Sequence, residues 1–226
     1  MTKFKFSNRF KVLFIYLFLI LVIGLISFIM PKKTAAPTGT SISNTNEAKP
    51  ESDNSNAQSA SNKKIIPPVP DPNFTNRITK KPFGIRVTPD KSPVQPEKFT
   101  GYHTAVDIEY GESTEEISIF AITDGEIILA RTAQGYGGVM IIRHAINGKF
   151  YNIVYGHLDP KSFTQKKTVS SGEKIGILGE GFTDETDFER KHLHFGIIDG
   201  TRIDLLGYVQ NEKELSGWID PLTFYK

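Results

Sequence analysis

The residues best suited to catalysis or metal binding are a pair of histidines, His192 and His194, near the C-terminal end of the chain. One residue separates them, and the apolar Leu193 and Phe195 alternate with them, a pattern that favours a β-strand. In a strand, residues two positions apart point to the same side, so both imidazoles would face one space. Imidazoles in that arrangement can bind a metal ion or transfer protons. The pair is therefore the first candidate site.

Two other stretches offer matching groups. His103 and Asp107 are four positions apart, and residues i and i+4 of an extended chain share a face. His157 follows an apolar run, at the expected end of a strand. Two imidazoles and one carboxylate, with water in the fourth position, would resemble a catalytic zinc site, and the remaining two imidazoles would be available for proton transfer. These spacings do not decide which imidazoles bind the metal.

The fifth histidine has a different context. His144 lies between Arg143 and Ala145 and leads into Asn147-Gly148, a dipeptide typical of two-residue hairpin turns. No neighbouring residue pairs with it in a recognisable motif. We interpret His144 as a structural or solvated residue.

Composition restricts the chemistry further. The chain has 226 residues, no cysteine and a net charge of +2. Without cysteine, disulfides, thiolate ligands and a cysteine nucleophile are excluded, so a metal site would consist of His, Asp and Glu. The first 33 residues contain six Lys or Arg and no acidic residue, which leaves the rest slightly acidic. Such a body gives no support for nucleic-acid binding, which needs a basic surface.

A membrane anchor is predicted near the N-terminus. Residues 12–30 contain no charged residue and consist mainly of Leu, Ile, Phe and Val. At about 1.5 Å per residue, such a helix would just cross a hydrocarbon core of about 30 Å. Four basic residues precede it and two follow, which predicts a cytoplasmic N-terminus (residues 1–11) and an external C-terminal part. A cleaved signal peptide is the alternative, but the run is long for one and no small-x-small cleavage site follows it.

The remaining sequence divides into a linker and a globular part. Residues 31–78 are rich in Ser, Asn, Thr, Ala and Pro; such a composition buries too little apolar surface to fold, so a flexible linker is predicted. In residues 79–226, short runs rich in Ile, Val, Phe and Tyr alternate with Gly, Asn and Asp turns. Many short strands with regular turns predict an all-β domain, an antiparallel sandwich or partly open barrel.

The ordered motifs of this globular part resemble the lysostaphin-type (LytM-like) zinc endopeptidases, a family of peptidoglycan hydrolases. The matching segments, in chain order, are Pro82–Arg86, His103–Asp107, Asp124–Ile127, Gly135–Ile141, Tyr155–Leu158, Ser171–Gly176, His192–Phe195 and Trp218–Leu222. Each segment alone is a weak signal, but the ordered combination is specific. The resemblance covers roughly residues 79–224 and implies a zinc cofactor and a peptidoglycan peptide substrate.

The resemblance also implies a role for each site residue. His103, Asp107 and His194 would be the zinc ligands. His157 and His192 would be the unligated pair that activates water and stabilises the oxyanion of the tetrahedral intermediate, and which of them is the base stays open. Zinc would lower the pKa of bound water towards about 7. An imidazole with an ordinary pKa of about 6.5 can then take up the proton and pass it to the leaving amine.

The sequence departs from the family pattern in three places. A charged segment, residues 183–191, stands where small residues usually lead into the His-x-His strand. Ala105 and Gly196 replace a common glycine and a common acidic residue. Every expected ligand is still present. The charged segment would reshape the rim of the cleft, so the resemblance does not predict substrate preference.

Together these features predict a zinc endopeptidase anchored in a bacterial cell envelope and acting on cross-bridge or stem peptides of peptidoglycan. The alternative is a non-catalytic wall-binding or regulatory module of the same fold that activates another hydrolase. Relatives of that kind are expected to have lost ligands, whereas this chain keeps the complete set, which favours the enzyme. The sequence makes no prediction of the oligomeric state.

Overall fold

The computed structural model describes residues 64–226, and all structural statements concern this range. Within it lie twelve β-strands, one short α-helix and four 3₁₀ helices. The strands are β1 (Arg86–Val87), β2 (Gly101–His103), β3 (Ala105–Gly111), β4 (Ser118–Phe120), β5 (Gly125–Ala133), β6 (Gly137–Ile146), β7 (Lys149–Leu158), β8 (Thr168–Val169), β9 (Lys174–Ile177), β10 (Lys191–Asp199), β11 (Tyr208–Val209) and β12 (Trp218–Ile219). The helix α1 spans Glu212–Leu215, and the 3₁₀ helices span Phe74–Arg77, Pro160–Ser162, Asp184–Thr186 and Pro221–Tyr225.

Antiparallel pairing joins the strands into three sheets. The largest has seven strands, with β12-β10-β7-β6-β5-β8 in spatial order and β3 paired with β10 as well. Three strands form a sheet in the order β1-β2-β11, and β4 pairs with β9. The arrangement is sandwich-like, and within residues 64–226 the sheets do not close into a barrel. The predicted all-β antiparallel class is confirmed in this form.

The two faces of the seven-stranded sheet differ because side chains alternate along each strand. On β10, the buried Leu193, Phe195 and Ile197 pack into a large hydrophobic core. His192 and His194, which alternate with these residues, line a cleft on the other face. Burying a large apolar side chain contributes about 1.5–3 kcal/mol. The core face therefore holds β10 in the register that its other face needs.

The neighbouring strands β3 and β7 follow the same alternation. Val106 and Ile108 of β3 pack into the core, whereas Asp107 between them lines the cleft. Ile153 and Tyr155 of β7 join the same core. The cleft is thus built on the reverse side of a hydrophobic core.

The strands β6 and β7 are joined by the predicted hairpin. Ile146 pairs with Lys149, and the two residues between them, Asn147 and Gly148, have φ angles of 51° and 75°. Positive φ at both positions is the geometry that favours Asn-Gly in type I′ turns. The prediction of this turn is confirmed.

The packed chain begins earlier than the predicted boundary of the β domain. Val69 and Phe74 are buried in the large core, and the Phe74 ring meets the Tyr225 ring edge-on with centroids 4.8 Å apart. The Tyr225 hydroxyl donates a hydrogen bond to the Ile66 carbonyl over 3.0 Å. Two well-spaced apolar side chains are enough to anchor a proline-rich segment that composition alone assigns to the linker. Residues 64–78 are therefore packed as part of the β domain.

The other predicted segments lie outside the described residues. They are the cytoplasmic segment (residues 1–11), the membrane anchor (residues 12–30) and the linker up to residue 63. In the part of the chain that the structure describes, no helix is long and apolar enough to cross a membrane. The anchor stays a prediction from the sequence.

Candidate metal centre

Antiparallel pairing of β3 with β10 brings two of the candidate motifs together. In this register Asp107 lies opposite His194, and Glu109 lies opposite His192. Directly opposed residues of an antiparallel pair have Cβ atoms about 4.5–5.5 Å apart. Each histidine therefore faces a carboxylate on the neighbouring strand.

His103 reaches the same point from a different sheet. It ends β2, the chain bends at Thr104, and β3 begins at Ala105. The Thr104 hydroxyl donates to the Leu206 carbonyl over 2.7 Å, which fixes the bend. His103 and Asp107 converge as predicted, although a bend rather than one continuous strand lies between them.

Three candidate ligand atoms form a nearly equilateral triangle. Nε2 of His103 lies 3.2 Å from Oδ1 of Asp107 and 3.3 Å from Nδ1 of His194. The third side, between Nδ1 of His194 and Oδ1 of Asp107, measures 3.3 Å. All three side chains are buried. This group could hold a metal ion, and its members are the residues that the resemblance assigns as ligands.

The dimensions and the chemistry of the triangle fit zinc. Zinc–nitrogen and zinc–oxygen bonds of about 2.0–2.1 Å in a tetrahedral site place neighbouring ligand atoms about 3.3–3.4 Å apart. Oδ1 of Asp107 is also buried without a hydrogen bond from any described residue. An unpaired buried carboxylate oxygen is destabilising, and binding a cation removes that penalty. Two imidazoles and a carboxylate are a donor set that zinc accepts.

Hydrogen bonds orient the two ligand imidazoles. Nδ1 of His103 lies 3.3 Å from the Pro82 carbonyl. A carbonyl can only accept, so Nδ1 carries the hydrogen and Nε2 keeps its lone pair. Nε2 of His194 lies 3.3 Å from the Tyr136 hydroxyl, and donation to that hydroxyl leaves Nδ1 of His194 unprotonated. Both imidazoles can thus direct a lone pair into the triangle, as metal-binding histidines require.

His157 reaches the cleft through a β-bulge. In the β6–β7 ladder, Val139 pairs with Gly156 and Gly138 pairs with Leu158, so His157 is an extra residue in β7. Its φ angle is +64°, in the left-handed region that residues other than glycine rarely adopt. Simple alternation would direct this side chain towards the core. The bulge directs it into the cleft instead.

His157 and His192 lie together, as the family resemblance implies. Their ring centroids are 4.3 Å apart, and both side chains are buried. Burial lowers the pKa of His157 to about 3 and holds the pKa of His192 well below its ordinary value, so both rings are neutral at neutral pH. Nδ1 of His192 donates to the Arg190 carbonyl over 2.8 Å, which leaves Nε2 as an acceptor. That Nε2 lies 3.4 Å from Oδ2 of Asp107.

An arginine and a glutamate that the sequence analysis did not assign complete the centre. Arg190 belongs to the charged segment, yet it is buried, and its Nη2 donates to Oδ2 of Asp107 over 2.7 Å. The same guanidinium donates to Glu109 from Nε over 2.9 Å and from Nη2 over 2.6 Å. Burial lowers the pKa of Arg190, but the Asp107 and Glu109 charges outweigh burial and raise that pKa above its ordinary value. Strand alternation could have identified Glu109 from the sequence, because it is two residues from Asp107 and shares its face.

The centre opens into a cleft of about 250 Å³. Lys81 lines this cleft, and its buried ammonium binds Glu97 at 2.7 Å and donates to the Tyr208 hydroxyl over 2.8 Å. Tyr136 lines it as well, and burial raises the pKa of its hydroxyl, which therefore stays protonated. No spacing in the sequence singles out Lys81 or Tyr136. Only the folded chain brings them to the centre.

His144 does not line the cleft. It is fully buried on β6, where Nδ1 lies 3.0 Å from the Asp124 carbonyl and Nε2 lies 3.4 Å from the Tyr155 hydroxyl. Burial lowers the pKa of His144 to about 4. The structural interpretation of this histidine agrees with its position.

Known proteins are similar in sequence to this part of the chain. Residues 101–205 match the family model described as Peptidase family M23. The murein hydrolase activator NlpD of Escherichia coli (strain K12) is 32% identical over 94 residues, which are 41% of this chain and 23% of NlpD. Endolysin 2638A of Staphylococcus phage 2638A is 35% identical over 81 residues, which are 35% of this chain and 15% of the endolysin. The matches thus span less than a quarter of each relative.

Among solved structures, the antimicrobial peptidase lysostaphin from Staphylococcus simulans is similar with a TM-score of 0.38. The identity is 24%, over 54% of this chain and 43% of lysostaphin. The region that matches the family model contains all five candidate site residues, which are His103, Asp107, His157, His192 and His194. The resemblance seen in the motifs is confirmed, because residues 101–205, just under half of the chain, match Peptidase family M23.

Proposed function

We propose that this chain is a zinc endopeptidase that hydrolyses peptide bonds in peptidoglycan. The observation that carries the proposal is the buried triangle of His103, Asp107 and His194, whose edges of 3.2–3.3 Å fit a zinc ion. Structural zinc sites are usually closed by four protein ligands, whereas three ligands leave a position for water or substrate. Three ligands beside two neutral imidazoles suit hydrolysis.

The chain's own residues can carry the proton through the reaction. Zinc held by the three ligands would act as a Lewis acid on the scissile carbonyl and lower the pKa of bound water towards about 7. Nδ1 of His157 is buried without a hydrogen bond from the described residues, and Nε2 of His192 is an acceptor. Either imidazole could therefore accept a proton from the attacking water and pass it to the leaving amine. Because burial lowers the pKa of both rings, the imidazolium would form only transiently. Nε2 of His192 lies 3.4 Å from Oδ2 of Asp107, so a proton taken up there would place the positive charge beside a carboxylate, which stabilises the imidazolium.

Peptidoglycan peptide is the substrate class that the relatives support. One relative is named as an activator of murein hydrolases and another as an endolysin. The Tyr136 hydroxyl lines the cleft and stays protonated, so it can donate a hydrogen bond to a carbonyl group of an extended peptide. We propose either the cross-bridge or the stem peptides as the substrate.

The proposed site of action is the outer side of a bacterial membrane. Residues 12–30 would anchor the chain, with residues 1–11 in the cytoplasm. Residues 31–63 would form a flexible linker. A flexible chain of that length has a root-mean-square end-to-end distance of about 30 Å. The M23 domain would then act on wall peptides near the membrane surface, and the partners of the chain would be the membrane and peptidoglycan.

A non-catalytic activator of another wall hydrolase is the second candidate, because one relative is named a murein hydrolase activator. An activator that works by contact alone has no need of a buried ligand triangle or of two further histidines beside it. The complete donor set of this chain therefore favours the enzyme.

Digestion of purified peptidoglycan by the purified full-length protein tests the proposal. Mass spectrometry should identify new amino termini released by the zinc-loaded wild type and none released by His157→Ala. Metal analysis should find about one zinc per chain in the wild type and less in His194→Ala. His144→Gln changes a buried histidine outside the cleft, so this matched control should keep both zinc and hydrolysis.

Two outcomes would change the conclusion. Equal release of amino termini by the wild type, His157→Ala and His194→Ala would refute the mechanism. A zinc-loaded wild type that is inert on every peptidoglycan type, yet stimulates a separate wall hydrolase, would replace the enzyme with the activator.

A further inference from the structure

Arg190 is a buried cation in direct contact with the metal-binding carboxylate. Its Nη2 lies 2.7 Å from Oδ2 of Asp107, whereas Oδ1 of that carboxylate forms the triangle with His103 and His194. The guanidinium thus occupies one oxygen and leaves the other for the metal. This contact favours binding of zinc through a single oxygen of Asp107.

Glu109 fixes the guanidinium in that orientation. Its two oxygens accept from Nε and Nη2 of Arg190 over 2.9 and 2.6 Å, a fork-to-fork geometry with strong directional preference. Glu109 also balances the charge. A lone guanidinium beside Asp107 would repel Zn²⁺ and compete for the carboxylate, whereas the Arg190–Glu109 pair adds no net charge to the centre.

The backbone of Arg190 supports the neighbouring histidine as well. Its carbonyl accepts from Nδ1 of His192 over 2.8 Å, which sets the tautomer of that ring. The preceding turn is held in place because the Phe182 amide and the Thr186 hydroxyl both donate to the Glu189 carbonyl, over 2.7 and 2.8 Å. The charged segment before β10 is therefore a support for the centre as well as a rim of the cleft.

We propose that Arg190, oriented by Glu109, is a positioning residue that makes Asp107 a one-oxygen zinc ligand. The inference rests on the zinc centre of the proposed function and adds to it the device that sets the ligand geometry. The competing explanation is that the ion pair only stabilises the fold. Buried ion pairs contribute little stability relative to apolar side chains of similar volume, so a role in stability alone explains poorly why the pair is aimed at Asp107.

The double variant Glu109→Leu/Arg190→Met separates the two explanations. It removes one anion and one cation, so the net charge near the metal is unchanged, and apolar replacements of similar volume should preserve folding. Asp107 loses its donor at Oδ2. We expect the zinc affinity of the full-length protein to fall by about 10–100-fold, measured by competition with a chromogenic chelator. The absorption spectrum of the cobalt-substituted protein should change as well, because the coordination of the carboxylate changes.

The matched control is Glu180→Gln/Lys191→Met. Lys191 is the buried neighbour of His192 on β10 and binds Glu180 at 2.7 Å. Its other hydrogen bond goes to the Glu115 carbonyl, so the control removes a nearby ion pair that does not hold Asp107. This control should bind zinc with the affinity of the wild type.

Three outcomes overturn the inference. Wild-type affinity and an unchanged cobalt spectrum in Glu109→Leu/Arg190→Met would show that the pair is only structural. An equal loss of affinity in the control double variant would show that the effect is general destabilisation. Failure of the wild type to bind zinc would refute the proposed function together with the positioning role, whereas the first two outcomes leave the proposed function intact.

Discussion

The two faces of β10 place neighbouring side chains under different constraints. Leu193 and Phe195 enter a core whose contacts are apolar and non-directional. His192 and His194 depend instead on single hydrogen bonds, to the Arg190 carbonyl and to the Tyr136 hydroxyl. Truncating a side chain on the first face should lower the stability of the whole domain. Truncating a histidine on the second face should remove metal binding or catalysis and leave the fold intact. Alternation along one strand thus separates stability from function.

The largest expected contrast comes from two adjacent residues of β10. Phe195→Ala removes a fully buried ring and should lower the free energy of unfolding by about 3–5 kcal/mol. His194→Ala, measured without metal, should lower that free energy by only about 0.5–1.5 kcal/mol, since its loss removes one neutral hydrogen bond. Urea unfolding of both variants in chelator checks the contrast. Similar losses for the two variants would mean that the faces are not separable in this way.

Zinc should narrow this contrast, because the metal stabilises only a folded protein that keeps the ligand set. At a free zinc concentration 100 times the dissociation constant, the wild type should gain about 2.7 kcal/mol of unfolding free energy. Phe195→Ala should gain a similar amount as long as it folds, and His103→Ala should gain little. Unfolding with and without zinc measures the difference. A full gain in His103→Ala would remove that residue from the ligand set.

Low pH should destabilise the folded protein through protonation of His144. Its pKa is about 4 in the folded protein and about 6.5 in an unfolded chain, so the unfolded state binds the proton first. The stability is therefore complete above about pH 6.5 and declines as the pH falls towards 4. Between pH 7 and pH 5 this residue should account for a loss of about 2 kcal/mol.

The comparison of wild type with His144→Gln isolates that contribution. Both proteins keep the other histidines, so the difference between their stability curves reports His144 alone. Urea unfolding at pH 7 and pH 5 should show a smaller loss in the variant. Identical pH dependence in the two proteins would contradict the assignment of His144 as a neutral buried residue.

The smallest effect concerns the bulge that carries His157. A left-handed φ angle of +64° is tolerated by glycine without penalty and disfavours alanine by about 1 kcal/mol. His157→Gly should therefore be about 1 kcal/mol more stable than His157→Ala, and both should lose hydrolysis. Thermal unfolding of the two variants measures the difference. Equal stability would indicate that the bulge relaxes once the imidazole is removed.

Local rules predicted which candidate residues lie close together, while the role of each residue came from the family resemblance. The spacing of His192 and His194 places them on one face of a strand, and the spacing of His103 and Asp107 allows their side chains to converge. The Asn147-Gly148 turn likewise follows from backbone preference alone. Such features depend on a few consecutive residues, which is the information that a single sequence carries most directly.

The features that escaped prediction depend on partners distant in the chain. Arg190 was grouped with the charged segment at the rim of the cleft because its partner Glu109 lies on another strand. The orientation of His157 depends on an extra residue in the β6–β7 register, and no local sequence pattern predicts that bulge. Val69 and Phe74 were assigned to a linker because composition says nothing about the core that receives them. Long-range packing, rather than propensity, decides each of these cases.

The contact between Tyr225 and Ile66 brings the two ends of the described chain side by side. Both ends belong to the core side of the large sheet, since Val69 and Phe74 pack into the same core as the residues beneath the cleft. Domains whose ends are adjacent tolerate circular permutation and insertion into other proteins. A short peptide joining residues 64 and 226, with new ends opened at the exposed Asn147-Gly148 turn, should yield a permuted domain with an unchanged cleft.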